Sequence, residues 1–224
     1  MRADVIIPDW PVPSGVRGMV TTRAMGDMKS AAGRKRLRAL LPAEPVWLRQ
    51  VHGTAVVDAA NVLAGTAADG SYARQKNIVC AVMIADCMPV LLAHDAGEVL
   101  GIVHAGWRGL CAGVIEAALA AMGVPAGRIL AWLGPAIGPA DYEVGDEVRA
   151  AFVDRDARAA IAFQPGRPGH WQLDLYAVAR QRLASSGVAR VCGGGFSTAA
   201  DAGRFFSHRR GQARERMAAA IWLA

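Results

Sequence analysis

Short β-branched apolar runs alternate along this chain with longer segments whose apolar residues recur at helical spacing, and that alternation restricts the fold to a mixed α/β or α+β architecture. The expectation is one layered domain over residues 1–224, a sandwich in which a mixed sheet is covered by helices. Strands are expected at residues 16–22, 46–48, 55–58, 78–84, 90–94, 99–104, 129–133 and 217–223, and helices at 29–41, 109–122, 143–152 and 173–185. Gly123, with Pro125 just beyond it, and Gly187 stop two of these helices. Residues 157–169, with Pro165, Gly166, Pro168 and Gly169, read as a loop that borders a site. No internal repeat is visible.

The longest apolar run, residues 78–93, is interrupted by Asp86 and Pro89 and falls short of the roughly 18 to 20 residues that cross a bilayer. The N-terminal stretch MRADVIIPDWPVP lacks the apolar centre of a secretory signal. A cytoplasmic protein with no membrane partner is therefore expected, and its four cysteines are read as core residues, ligands or nucleophiles. The formal charge of +6 comes from arginine-rich clusters at Arg34, Lys35, Arg36 and Arg38 and across residues 204–216, which favour anionic partners in general. The chain carries no recognised nucleic-acid motif, so a nucleic-acid-binding module is set aside.

Three short blocks gather reactive side chains where the backbone turns: Gln50-Val51-His52-Gly53, Ala85-Asp86-Cys87-Met88-Pro89, and His104-Ala105-Gly106-Trp107-Arg108-Gly109. In the last two the reactive residue follows directly on a β-type run, at the strand end where open α/β sheets keep their ligand crevices. Gly106 and Gly109 let the backbone come close to a ligand, and Pro89 disfavours helix at Met88, which presents the Cys87 thiol in a turn. Taken singly, a cysteine on an apolar strand is commonly core filler and a histidine at a turn is commonly surface. The separations of these blocks match no local metal-finger spacing, so the residues alone leave their chemistry open.

The strings QVHG, ADCMPVLL, GIVHAGWRGL, GPAIGP with YEVG, and FFSHRR stand in one order over nearly the whole chain. In that order the chain resembles the YfiH-like or laccase-domain (multicopper polyphenol oxidase) family, which includes purine nucleoside phosphorylases and peptidoglycan-editing factors. The resemblance implies a zinc held by His52, Cys87 and His104, the same three residues serving catalysis, and a substrate site to which Arg23, Gln50 and Arg209 contribute. One thiolate and two imidazoles suit Zn²⁺ and leave its fourth position open. The implied activity is phosphorolysis of adenosine, inosine, guanosine and methylthioadenosine to base and ribose 1-phosphate, with adenosine deamination as a second activity. The implied partners are small molecules, nucleoside and phosphate, and the chain is expected as a monomer or small homo-oligomer.

Three departures from the family pattern stand out. The segment after Arg23 is shortened as far as Arg34, which removes part of one expected substrate wall; Ile84 stands where a threonine is usual, and His208 where a tyrosine is usual. Copper, named for the family, suits this chain less than zinc, because a laccase needs many histidines and there are five here with no His-x-His pair. A cysteine hydrolase that edits peptidoglycan precursors, with Cys87 as nucleophile and His104 or His52 as base, is the alternative enzyme.

Overall fold

A computed structural model describes residues 4–211 and 214–224. The first three residues of the N-terminal stretch and residues 212 and 213 of the second basic cluster lie outside them. The chain forms three sheets, within the mixed α/β class that was expected.

The first sheet is antiparallel and contains β1 (Val5–Ile6), β2 (Val16–Thr21), β13 (Met217–Leu223) and β5 (Cys80–Ile84), in the order β1-β2-β13-β5. The second has six strands in the order β12-β8-β6-β7-β4-β3, made by β3 (Val56–Asp58), β4 (Gly70–Ala73), β6 (Met88–His94), β7 (Leu100–Ala105), β8 (Ile129–Leu133) and β12 (Arg190–Gly193). Its two outer pairings are parallel and its three inner ones antiparallel. A small antiparallel sheet of β9 (Glu143–Gly145), β10 (Phe163–Pro165) and β11 (His170–Leu173) completes the set.

Side-chain alternation stacks these sheets into layers. On β13, Met217, Ala219, Ile221 and Leu223 share one core with Leu91, Ala93, Leu100 and Ile102 of the six-stranded sheet. The intervening Ala218, Ala220 and Trp222 face the other way, onto Leu37 of helix α1 (Ala31–Arg38) and the methionines Met19, Met25 and Met28. The period of two along an extended strand sends successive residues to opposite faces, so a strand apolar throughout must be covered on both. β6 shows the same division, with Val90 and Leu92 turned toward helices α2 (Trp107–Ala112), α3 (Val114–Met122), α4 (Asp146–Val153) and α5 (Leu175–Ser185). The last helix, α6 (His208–Gly211), is a single turn.

Several elements depart from the sequence pattern for identifiable reasons. The helix expected over residues 109–122 is two helices, because Gly113 takes a left-handed φ of 105° between them. The one expected over 143–152 starts only at Asp146, where Asp146 and Glu147 place negative charge in the first turn; residues 143–145 pair with β11 instead. Residues 46–48 contribute only an isolated bridge from Val46 to Cys80. The segment 157–169 is partly ordered, as a 3₁₀ turn (Ala157–Ala162) followed by β10. Gly123 and Gly187 do take the positive φ of helix stops, 61° and 90°.

Candidate metal centre

The first and second sheets diverge where the chain leaves β5 and enters β6, and Cys87 occupies that joint. His104 is the next-to-last residue of β7, and the β6–β7 register sets it opposite Pro89, two residues beyond Cys87. His52 comes from the loop that follows a bridge between Arg49 and Ala67, and it holds a left-handed φ of 59°. These three residues, separated by up to 52 positions along the chain, bring their ligand atoms within 4.8 Å of one another. Among the described residues this is the one such cluster of metal-ligating groups. Cys87 Sγ lies 3.8 Å from His52 Nε2, and the two imidazole rings stand edge to face with centroids 4.9 Å apart.

Close approach of the backbone is part of the arrangement. A Cβ at position 106 would lie 2.9 Å from Cys87 Sγ and 3.0 Å from His52 Cδ2, so glycine there leaves the three donors room to converge. The sequence argument for Gly106 thus finds its contact.

Burial pushes the Cys87 thiol up, but the neighbouring His104 and His52 outweigh it and draw it down to about 6. Burial likewise disfavours a charged His104, and the Cys87 thiolate with the Asp69 carboxylate overcomes this and raises it to about 9. Without metal the two groups thus favour a thiolate at Cys87 and a proton on His104, and a metal bound here would displace that proton. A thiolate with two imidazoles, converging and with room for a fourth ligand, fits zinc in a catalytic site.

A residue that the sequence reading missed organises this cluster. Asp69, wholly buried just before β4, accepts the ring Nδ1–H of His104 at 2.9 Å and the backbone N–H groups of Val51, His52 and Gly53 at 3.0, 2.9 and 2.7 Å. Burial raises its carboxyl and these donors more than offset that, leaving it below its ordinary value. Its surroundings in sequence, Ala68-Asp69-Gly70-Ser71, carry no apolar pattern to mark it.

The cluster lies on the wall of a cleft of about 550 Å³. Leu48, Met83, Ile137 and Leu175 supply its apolar surface, Trp107 and Tyr142 its aromatic surface, and Lys29, Arg108, Arg209 and Arg216 its positive charge. Lys29 belongs to the shortened segment after Arg23, which therefore still reaches the site. It is held there by Asp27 Oδ1, which accepts the backbone N–H of Lys29 and that of Arg216, both at 2.9 Å.

The three residues expected to bind substrate fare differently. Arg209 lines the cleft, with its guanidinium 5.1 Å from the Tyr142 ring centre and one N–H donated to the Glu143 carbonyl. Gln50 also lines it, but its amide is joined at both ends to the Met83 backbone, donating at 2.8 Å and accepting at 2.7 Å. Arg23 is outside the cleft lining: it stacks on Phe206 and donates to the Ala202 carbonyl. Asp86, which the sequence placed in a reactive block without a role of its own, takes a φ of 86° and accepts the Thr198 hydroxyl at 2.6 Å and the Arg209 backbone N–H at 2.7 Å. It thereby ties the segment carrying Arg209 to the residue beside Cys87.

Comparison with known proteins agrees over the same span. A purine nucleoside phosphorylase of Pseudomonas aeruginosa is 43% identical over 97% of this chain and 98% of its own. The purine nucleoside phosphorylase YfiH of Escherichia coli is 44% identical over 98% of both. A Neisseria meningitidis protein of known structure superposes with a TM-score of 0.92 at 40% identity, covering 98% of this chain and 99% of its own. The YfiH protein of Bacillus licheniformis superposes with a TM-score of 0.84 at 25% identity, covering 93% of each. The profile of the family described as multi-copper polyphenol oxidoreductase laccase matches residues 19–224, and with these full-length relatives it shows that the chain belongs to that YfiH-type laccase-domain family.

Proposed function

We propose that this chain is a zinc-dependent purine nucleoside phosphorylase acting on adenosine, inosine, guanosine and methylthioadenosine, with adenosine deamination as a second activity of the same site. The observation that carries this reading is the convergence of His52, Cys87 and His104 within 4.8 Å on the wall of a cleft that is otherwise apolar, aromatic and cationic. The names of the full-length relatives support it. In phosphorolysis an oxygen of inorganic phosphate forms a bond to ribose C1′ while the bond from C1′ to the purine N9 breaks, and the base departs with a proton.

Zinc, when bound by these three residues, supplies a Lewis acid with an open coordination position. The rest follows from the chain itself. Trp107 and Tyr142, with the apolar wall, offer surface on which a flat purine stacks away from water. Arg108, exposed and resting against the Trp107 ring, and Arg209 and Lys29 direct cationic donors into the same space, where a phosphate gathers by charge-assisted hydrogen bonds. Gln50 acts by tying the His52 loop to β5, and Arg23 by packing on Phe206.

The test is turnover of inosine measured with and without phosphate, with hypoxanthine and ribose 1-phosphate as the products sought. Equal turnover without phosphate removes the phosphorylase reading. Arg108→Ala should raise KM for phosphate by about 10-fold while changing KM for inosine little, because it removes binding to one substrate only. A larger effect on inosine than on phosphate would place Arg108 elsewhere in the reaction.

A second reading has a specific observation behind it, the thiolate of Cys87 beside His104. A cysteine hydrolase acting on peptidoglycan precursors would use that pair without metal. A polyphenol oxidase has less support, since the described residues hold one three-donor cluster and no second.

A further inference from the structure

We infer that Asp69 is the positioning residue that presets both histidines of the cluster through a single carboxylate. This rests on the reading of His52, Cys87 and His104 as a metal centre and goes beyond it. Four groups converge on Asp69: Oδ1 accepts from the His52 backbone N–H and the His104 ring, and Oδ2 from the Val51 and Gly53 backbone N–H groups. An ionised carboxylate only accepts, so it fixes the His104 proton on Nδ1 and leaves Nε2 as the nitrogen that faces a metal. The same group pins three successive N–H groups of the loop that holds His52 in its left-handed conformation. His52, 17 positions before Asp69, and His104, 35 positions after it, thus share one anchor, and the further bond from the His104 backbone N–H to the Asp69 carbonyl, at 2.7 Å, locks β7 to the same residue.

The arrangement tolerates no amide in place of the carboxylate. Asparagine has one carbonyl oxygen and one NH₂ group, and three of the four partners of Asp69 are backbone N–H groups that can only donate. With the NH₂ at the Oδ2 position the loop loses its hold at Val51 and Gly53; with it at the Oδ1 position the His52 N–H loses its acceptor, and His104 keeps a bond only by moving its proton to Nε2, the nitrogen meant for the metal.

The experiment titrates metal-free wild type, Asp69→Asn and Tyr176→Phe with Zn²⁺ in competition with a chromophoric chelator, alongside thermal unfolding of each metal-free protein. Tyr176 is the control for general damage: its buried hydroxyl donates to the Gly134 carbonyl and accepts the Ala136 N–H, outside the cleft lining. Asp69→Asn is expected to weaken Zn²⁺ binding by about 10- to 100-fold, the scale of losing an outer-shell partner, while Tyr176→Phe is destabilised and binds zinc as wild type does. Unchanged affinity in folded Asp69→Asn overturns the inference. Equal weakening in Tyr176→Phe also overturns it, as damage common to any destabilised variant. Absence of binding by wild type would instead remove the metal reading beneath it. If Asp69→Asn fails to fold, ¹⁵N spectra of the histidine rings in zinc-loaded wild type decide: the His104 proton is expected on Nδ1, and a proton on Nε2 overturns the assignment.

Discussion

Turnover of inosine with phosphate is expected to fall by about 10³-fold or more in Cys87→Ser, the scale of removing one member of a group that acts as a unit. Serine has nearly the volume of cysteine, but its hydroxyl is neutral at pH 7, whereas His104 and His52 draw the Cys87 thiol down to about 6 and so favour the thiolate. On the proposed reading His104→Ala should lose adenosine deamination together with phosphorolysis, since that reading has both activities drawing on the same cluster. Prolonged chelation of the wild type is expected to abolish both activities, and returned Zn²⁺ to restore them. The two enzyme readings separate here, because a covalent mechanism at Cys87 survives chelation. Full activity in protein shown to be free of metal would sink the zinc mechanism and leave the cysteine reading standing.

Asp86→Ala should destabilise the fold by about 3 kcal/mol or more, whereas Asp86→Asn should cost about 1 kcal/mol or less. The difference follows from backbone and hydrogen bonding together. Position 86 holds a φ of 86°, a region that aspartate and asparagine enter more readily than alanine. The alanine variant also leaves two donors without their acceptor, the buried Thr198 hydroxyl and the part-buried Arg209 N–H. Asparagine can turn its carbonyl to the Arg209 N–H and its NH₂ to Thr198, whose hydroxyl serves as donor or acceptor. Denaturant unfolding of the two variants measures this directly. Equal destabilisation by both would mean that charge, not geometry, matters at position 86. The contrast with Asp69, where three backbone N–H donors leave asparagine no such option, makes the two buried aspartates a matched pair.

The sequence by itself determined the strands that are apolar throughout and marked the reactive residues that converge in the candidate metal centre. Residues 129–133 and 217–223 were legible with the bounds they have in the fold, because a strand buried on both faces must be apolar at every position, and that is a property of the local string. His52, Cys87 and His104 were legible as reactive residues at turns next to such strands, and the order of the surrounding blocks tied them together. The tertiary structure decided what local patterns do not encode. Glu143–Gly145 became a strand because β11, some 25 residues further along, offered it partners, and residues 46–48 remained a single bridge for want of them. Gly113 broke one apolar helix in two, although glycine within an apolar run carries no local mark of a left-handed turn. Asp69, and the anchoring role of Asp86, were invisible for a related reason: a carboxylate reads as solvated surface until distant segments bring it the donors that make its burial tolerable. Those donors come from residues 51–53 and 104 in one case and 198 and 209 in the other, and only the folded chain brings them together.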